Sequence, residues 1–179
     1  MYSHVDIDAA PLGRLVVGME EDRVVFAHLA RGTDDVERIL ATERKEFPDM
    51  RRSPADHPVC SLLRAYLDGE RVDPADYPVH WTRGTEFQRR VWSTLRKVKR
   101  GRFVTYGELA EMAGNPLAAR AVGGAVGRNP MVLFVPCHRV LAVDGLGGFS
   151  AGLDAKRNWL RKEGVAEVRL SGRSHEHSG

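Results

Sequence analysis

Residues 105–127 read TYGELAEMAGNPLAARAVGGAVG, and the punctuation of this stretch decides how the second half of the chain folds. Thr105-x-x-Glu108 is a capping-box pattern, in which the hydroxyl accepts from a helical amide and the carboxylate reaches back to the cap. It opens a short helix through Leu109 and Met112 that Gly114 stops. Asn115-Pro116 opens the next helix, Leu117 to about Gly127. Two short helices joined by a glycine-containing turn predict a helix-turn-helix. The second helix is built largely from Ala118, Ala119, Ala121, Gly123, Gly124 and Ala125, although each glycine costs about 1 kcal/mol in a helix interior. Two readings explain such small side chains: a partner that approaches the backbone closely, or tight packing against other helices. Arg120 interrupts the run and reaches well beyond Ala119 and Ala121.

Upstream, Thr85-x-x-Gln88 repeats the capping-box pattern, and Phe87, Val91, Trp92, Leu95 and Val98 follow on one helical face. Arg89, Arg90, Arg96 and Lys97 lie on the opposite face. Asp73-Pro74 to Tyr77-Pro78 is rich in turn formers and marks the candidate domain boundary. Before it, residues 2–29 predict strands, with Leu15-Val16-Val17 and Val24-Val25-Phe26 separated by the turn-like Glu20-Glu21-Asp22. Thr33 to Lys45 predicts an amphipathic helix through Val36, Ile39 and Leu40. Asp56 is expected to cap a further helix carrying Val59, Leu62, Leu63, Tyr66 and Leu67, which Gly69 ends.

The 179 residues fit one domain or two small ones, and 42% hydrophobic with 28% charged residues is an ordinary globular composition. No apolar run approaches the roughly 20 residues of a membrane helix, and the start MYSHVDIDAA has no secretory-leader pattern. Cys60 and Cys137 are too few for a disulfide framework or a four-cysteine zinc site. A reducing, cytoplasmic setting is the resulting expectation. The net charge of +3 conceals a polarity. Residues 1–81 hold 10 Lys+Arg against 16 Asp+Glu, residues 82–128 hold 10 against 3, and residues 129–179 hold 7 against 5. An acidic first half followed by a basic middle suits an anionic polymer or, equally, a solvated basic helix face.

Met131 to Val135 is a continuous apolar run that predicts a buried strand or extended segment leading into Pro136-Cys137-His138-Arg139-Val140. Pro136 removes a backbone donor and fixes the turn. Adjacent Cys and His lack the usual zinc-ligand spacing. A nucleophilic thiolate generated by a neighbouring base and a buried structural cysteine are the two readings that remain.

The whole block shifts the balance between them. Phe87-Gln88, Val91-Trp92, Tyr106-Gly107, Ala118 to Gly123, Asn129-Pro130, Pro136 to Val140 and Gly147-Gly148-Phe149-Ser150 occur in order at tight spacing over about residues 82–164. This constellation closely resembles the O6-alkylguanine-DNA alkyltransferases, or methylated-DNA–protein-cysteine methyltransferases. The resemblance implies an α+β fold. A small N-terminal domain (1–78), ribonuclease-H-like with an antiparallel sheet and helices, would precede a mainly helical C-terminal domain (82–170) with a winged-helix-like helix-turn-helix. The tail Ser171 to Gly179, carrying His175 and His177, is expected to be disordered.

The resemblance also implies irreversible transfer of an alkyl group from guanine O6, with thymine O4 a further candidate, to Cys137. His138 would act through a water as base, Glu163 would orient and charge-balance it, and Asn129 would hold the active-site turn. Tyr106 would donate to guanine N3, the backbones of Cys137 and Val140 would recognise the guanine amino group, and Ser150 and Phe149 would complete the substrate site. Ala118, Ala119, Ala121, Gly123 and Arg128 would lie on DNA, with Arg120 filling the gap left by the extruded nucleotide.

These roles agree with elementary chemistry. O6 of a paired guanine is engaged, so in-line attack on its alkyl carbon requires flipping at a few kcal/mol, less for a damaged pair. A wedge offsets part of that cost, and a basic helix face adds salt-sensitive phosphate attraction. A thioether does not hydrolyse under mild conditions, so each molecule works once, without metal or organic cofactor. The expected partner is double-stranded DNA containing O6-alkylguanine, bound by a monomer with no membrane role.

Other classes fit less well. Non-catalytic alkyltransferase-like binders carry Trp where Cys137 stands, regulators read the major groove with polar side chains that this Ala/Gly helix lacks, and a cysteine hydrolase needs an oxyanion hole. Two departures from the family stand out. Its loop usually continues Ser-Gly-Gly, whereas Ser150-Ala151-Gly152 adds a methyl expected to narrow the pocket. Some members bind zinc near the N-terminus, but Cys60 sits in an apolar helical face and no structural zinc is expected.

Overall fold

The computed structural model describes residues 1–165, so the expectations for residues 171–179 lie outside the described residues. It divides into two compact units, Met1–Thr85 with Asn129–Val135 and Glu86–Arg128 with Pro136–Gly179.

In the first unit, β1 (Tyr2–Asp8), β2 (Arg14–Glu20) and β3 (Arg23–Ala30) form an antiparallel meander. The central β2 is buried from Leu15 to Met19, as expected for a strand covered on both faces. The sheet is not antiparallel throughout, which corrects the sequence expectation. After α1 (Thr33–Glu43) the short β4 (Arg51–Arg52) pairs with β1 in parallel, giving the order β3-β2-β1-β4. A helical crossover is the ordinary way to return a chain in parallel. Helix α1 brings Val36 and Leu40 onto Val16, Val25 and Phe26.

Helix α2 (Pro58–Leu67) is capped by His57, whose Nδ1 accepts from Val59 N at 3.3 Å, rather than by Asp56. Pro58 at the first position removes an amide that would need a cap. Gly69, at φ +89°, follows the helix in the left-handed region that glycine tolerates best. Cys60 is buried on α2.

Residues 73–78 form a capped 3-10 turn at Pro74–Asp76, yet the chain does not leave the unit there. Val24 N donates to Pro78 O at 3.0 Å and His80 N to Val24 O at 2.8 Å. A similar pair of bonds, Ala27 N to Pro130 O and Val132 N to Ala27 O, brings residues 129–135 onto β3. Met131 to Val135 is buried as expected, but as a tight turn with Leu133 at φ +70° rather than a strand. Asn129 explains the curl: its Oδ1 accepts from Met131 N at 2.9 Å and its Nδ2 donates to Val135 O at 2.8 Å.

The second unit holds α3 (Glu86–Leu95), α4 (Tyr106–Met112), α5 (Ala119–Gly127) and α6 (Leu153–Lys162), with β5 (Val104–Thr105) parallel to β6 (Val140–Leu141). The Thr105/Glu108 capping box is formed in both directions, at 3.2 and 2.6 Å. Val91, Trp92, Leu95 and Val98 are buried, and Trp92 Nε1 donates to Ala125 O at 2.8 Å. The small residues of helix α5 divide between its two faces. Val122, Ala125 and Val126 are buried in packing, whereas Arg120, Ala121, Gly127 and Arg128 are exposed. The two-helix arrangement with a small mixed sheet fits the α+β expectation, and among the described residues no helix is long and apolar enough to cross a membrane.

Candidate active site

Cys137 opens a single 3-10 turn, Cys137–Arg139, between Pro136 and β6. Its side chain is 4% exposed and lines a cavity of about 310 Å³, at the low end of the roughly 300–1,000 Å³ typical of small-molecule sites. Tyr106 from the start of α4 and Gly123, Val126 and Gly127 from α5 line the same cavity, as do Gly148, Phe149 and Ser150 from the loop before α6.

The sequence expectations thus meet in one place for Cys137, Tyr106, Phe149, Ser150 and Gly123. Ala151 is half-buried and is not among the lining residues, so its methyl does not shape this wall directly. Val126 and Gly127 escaped the sequence reading, although 123, 126 and 127 share a helical face at the i, i+3, i+4 spacing. Val140 is buried in β6, and Asn129 belongs to the first unit, where it holds the segment that runs into Pro136. Ala118 and Ala119 are half-buried at the start of α5, and Arg128 at its end donates to Gly124 O at 3.1 Å.

His138 is fully buried and packs edge-on against Trp159 at 5.5 Å between centroids. Its Nε2 lies 2.8 Å from Glu163 Oε1. Arg139, also fully buried, clasps the same carboxylate with Nε and Nη2 at 2.9 Å each and donates Nη1 to Val98 O at 2.6 Å. Burial alone would raise the Glu163 carboxyl, but His138 and Arg139 together hold it far below the usual carboxylate range. A carboxylate only accepts, so His138 Nε2 carries the proton of this bond. In the neutral ring Nδ1 is then the basic nitrogen. The bidentate Arg139–Glu163 pair has no signal in the PCHRV run, which shows only that an arginine follows the histidine.

Tyr106 is held by small neighbours. A Cβ on Gly123 would sit 3.7 Å from its ring, and one on Gly147 would come within 3.1 Å of its Cε2 and 3.2 Å of Ala142 N. Burial first, and the nearby Cys137 second, push its phenol pKa up. Gly147 also sits at φ +68°. Gly147→Ala is therefore expected to destabilise the fold by about 1–3 kcal/mol and to displace Tyr106. Urea unfolding midpoints check this, and an unchanged midpoint would refute the close fit.

A family model described as 6-O-methylguanine DNA methyltransferase, DNA binding domain, matches residues 86–165. A methylated-DNA–protein-cysteine methyltransferase of Shigella flexneri is 51% identical over 161 residues, covering 87% of this chain and 92% of its own. That of Haemophilus influenzae is 36% identical over 160 residues, covering 89% and 85%. The chain belongs to the methylated-DNA–protein-cysteine methyltransferase family. Solved structures agree with this. The crystal structure of Mycobacterium tuberculosis O6-methylguanine methyltransferase superposes with TM-score 0.74 at 30% identity over 96% of both chains. Another from that organism, in complex with DNA, gives 0.71 at 32% identity over 94% of both.

A methyltransferase of this family needs an acceptor cysteine, and the two candidates differ sharply. Cys137 lines the cavity, whereas Cys60 is buried on α2 in the first unit, where burial raises its thiol pKa.

Proposed function

We propose that the chain repairs alkylated DNA by direct, single-turnover transfer of the alkyl group from guanine O6 to Cys137. The observation that carries this reading is the convergence of Cys137, Tyr106 and Ser150 on one cavity, with the His138–Glu163 pair beside the thiol in the chain. His138 takes the thiol proton through a water, and Glu163 stabilises the resulting imidazolium. The Cys137 sulfur then attacks the alkyl carbon in line, the C–O6 bond breaks, and its electron pair stays on the guanine. Tyr106 donates to N3 as that charge builds. The product is a thioether, so no step regenerates the thiol.

DNA is the partner, and double-stranded DNA bearing O6-alkylguanine is the proposed substrate, bound by a monomer with the base flipped out. Arg120 and Ala121, exposed on α5, face the minor groove in this reading together with Ala118, Ala119, Gly123 and Arg128. Arg120 takes the place of the extruded nucleotide. Arg89, Arg90 and Lys97, exposed on and just after α3, add phosphate attraction. The ribonuclease-H-like and winged-helix-like labels for the first and second units belong to the same proposal. So does a cytoplasmic setting, because the reaction consumes a free thiol.

Incubation with duplex DNA containing O6-methylguanine tests the reading. Digestion of the DNA is expected to yield guanine in place of the lesion, at no more than one lesion per protein molecule; unchanged lesion would refute it. Arg120→Ala is expected to slow repair of duplex DNA by about 10- to 100-fold, the scale of a few kcal/mol of unassisted flipping. Its reaction with the free alkylated base should stay near normal, and equal loss on both substrates would refute the wedge.

A further inference from the structure

Lys156 of α6 is completely buried, with a relative exposure of 0%. A lysine ammonium has three donors and no acceptor, and here all three are spent on backbone carbonyls. Nζ donates to Val140 O at 2.6 Å, to Leu146 O, and to Gly148 O at 3.3 Å. It also stands 5.9 Å from the centre of the Phe149 ring. Val140 begins β6, directly after the Cys137–Arg139 turn. Leu146 and Gly148 belong to the loop whose Gly148, Phe149 and Ser150 line the cavity together with Cys137.

One charged group thus ties the segment leaving the thiol to a loop that lines the same cavity. Burying an ammonium is expensive unless it is well satisfied. A leucine or methionine would fill the same volume without that penalty, so packing alone does not account for a charge here. Burial brings the Lys156 pKa down to about 8, opposed by the nearby Cys137, which leaves the group protonated at neutral pH with all three donors available.

We infer that Lys156 is a positioning residue for alkyl transfer: it sets the placement of the cavity-lining loop relative to the backbone that follows Cys137 by holding the carbonyls of Val140, Leu146 and Gly148 on one ammonium. This rests on the reading of the cavity as a guanine site. A carbonyl has two lone pairs, so the Val140 oxygen held by Lys156 retains one for the guanine amino group that the family resemblance assigns to the Val140 backbone. Lys156 touches neither the alkyl group nor the sulfur in this scheme; it acts through the backbone that reads the base.

The test compares two reagents for Cys137 on the unmodified chain, Lys156→Met and Lys156→Gln. Free O6-methylguanine needs the guanine site, whereas iodoacetamide needs only a reactive thiol. Lys156→Met is expected to slow transfer from O6-methylguanine by about 10- to 100-fold, the scale of a misplacement near 1 Å. The iodoacetamide rate is expected to fall less, since it reports the thiolate but no recognition of the base. Lys156→Gln, which keeps an amide donor, should fall between. Equal losses toward both reagents, or none toward either, would overturn the inference.

If both variants fail to fold, the Cys137→Ser chain provides the measurement, because Lys156 is intact there and no transfer occurs. The 15N resonance of its Lys156 ammonium is expected to shift when O6-methylguanine is added, and an unmoved resonance would overturn the inference. Failure of the unmodified chain to accept a methyl group from either the free base or duplex DNA would instead sink the guanine-site reading, and this inference with it.

Discussion

Cys137→Ser is expected to fold and to bind duplex DNA like the unmodified chain while transferring no alkyl group at all. The thiolate is the nucleophile in this chemistry, and a serine hydroxyl beside the same histidine remains protonated and far less nucleophilic toward an sp3 carbon. The substitution changes one atom of a 4% exposed side chain, so the core around the 3-10 turn keeps its packing. The proposed DNA contacts lie on and around α5 and α3 and are left intact. Electrophoretic mobility shifts and circular dichroism report the two conserved properties, and recovery of guanine from O6-methylguanine reports the lost one. Loss of folding in this variant would favour a structural cysteine. Residual transfer would place the acceptor elsewhere.

Glu163→Gln is expected to be the most destabilising single substitution near the site, by about 3–5 kcal/mol, the cost of breaking a buried ion pair from one side. The carboxylate accepts from His138 and twice from Arg139, and the side chains of all three are fully buried. A glutamine amide offers one oxygen and turns an NH2 donor toward two donor groups, leaving the Arg139 charge uncompensated. The same pairing predicts a pH dependence. Glu163 binds its proton less tightly in the folded chain than in the unfolded one, so its contribution is fully present above the ordinary Glu pKa of about 4.3. It is lost as pH falls from there toward the depressed folded value. Urea midpoints measured from neutral pH down to acid should therefore decline for the unmodified chain and decline less for Glu163→Gln. Parallel declines would show that the pairing contributes nothing to acid stability.

Much of this was legible in the residues, and the parts that were not have physical causes. The Thr105/Glu108 box and Gly114 marked α4 because capping is local chemistry between near neighbours. The strands of residues 2–29 followed from β-branched runs and their turns. The parallel β4 is hidden because Arg51-Arg52 is short and exposed, so it carries no burial pattern. Met131 to Val135 is legible as buried from its apolar run, but hydropathy does not distinguish a strand from a turn curled by the Asn129 amide. The allocation of residues 129–135 to the first unit depends on backbone bonds to Ala27, which no local pattern announces.

The site divides in the same way. Cys137, Tyr106, Phe149 and Ser150 came from an ordered set of motifs, and the cavity gathers all four. Lys156 and the Arg139–Glu163 clasp were hidden because a lone Lys or Arg in sequence reads as a solvated surface group. Only the fold reveals that both are fully buried and spend their donors on fixed acceptors.

Peptide mass spectrometry after reaction with duplex O6-methylguanine DNA tests the central claim most directly. The prediction is a gain of one methyl group on the peptide containing Cys137, matched mole for mole by lesions restored to guanine, with the Cys60 peptide unchanged. A methyl group on Cys60, or restored guanine with neither cysteine modified, would contradict it.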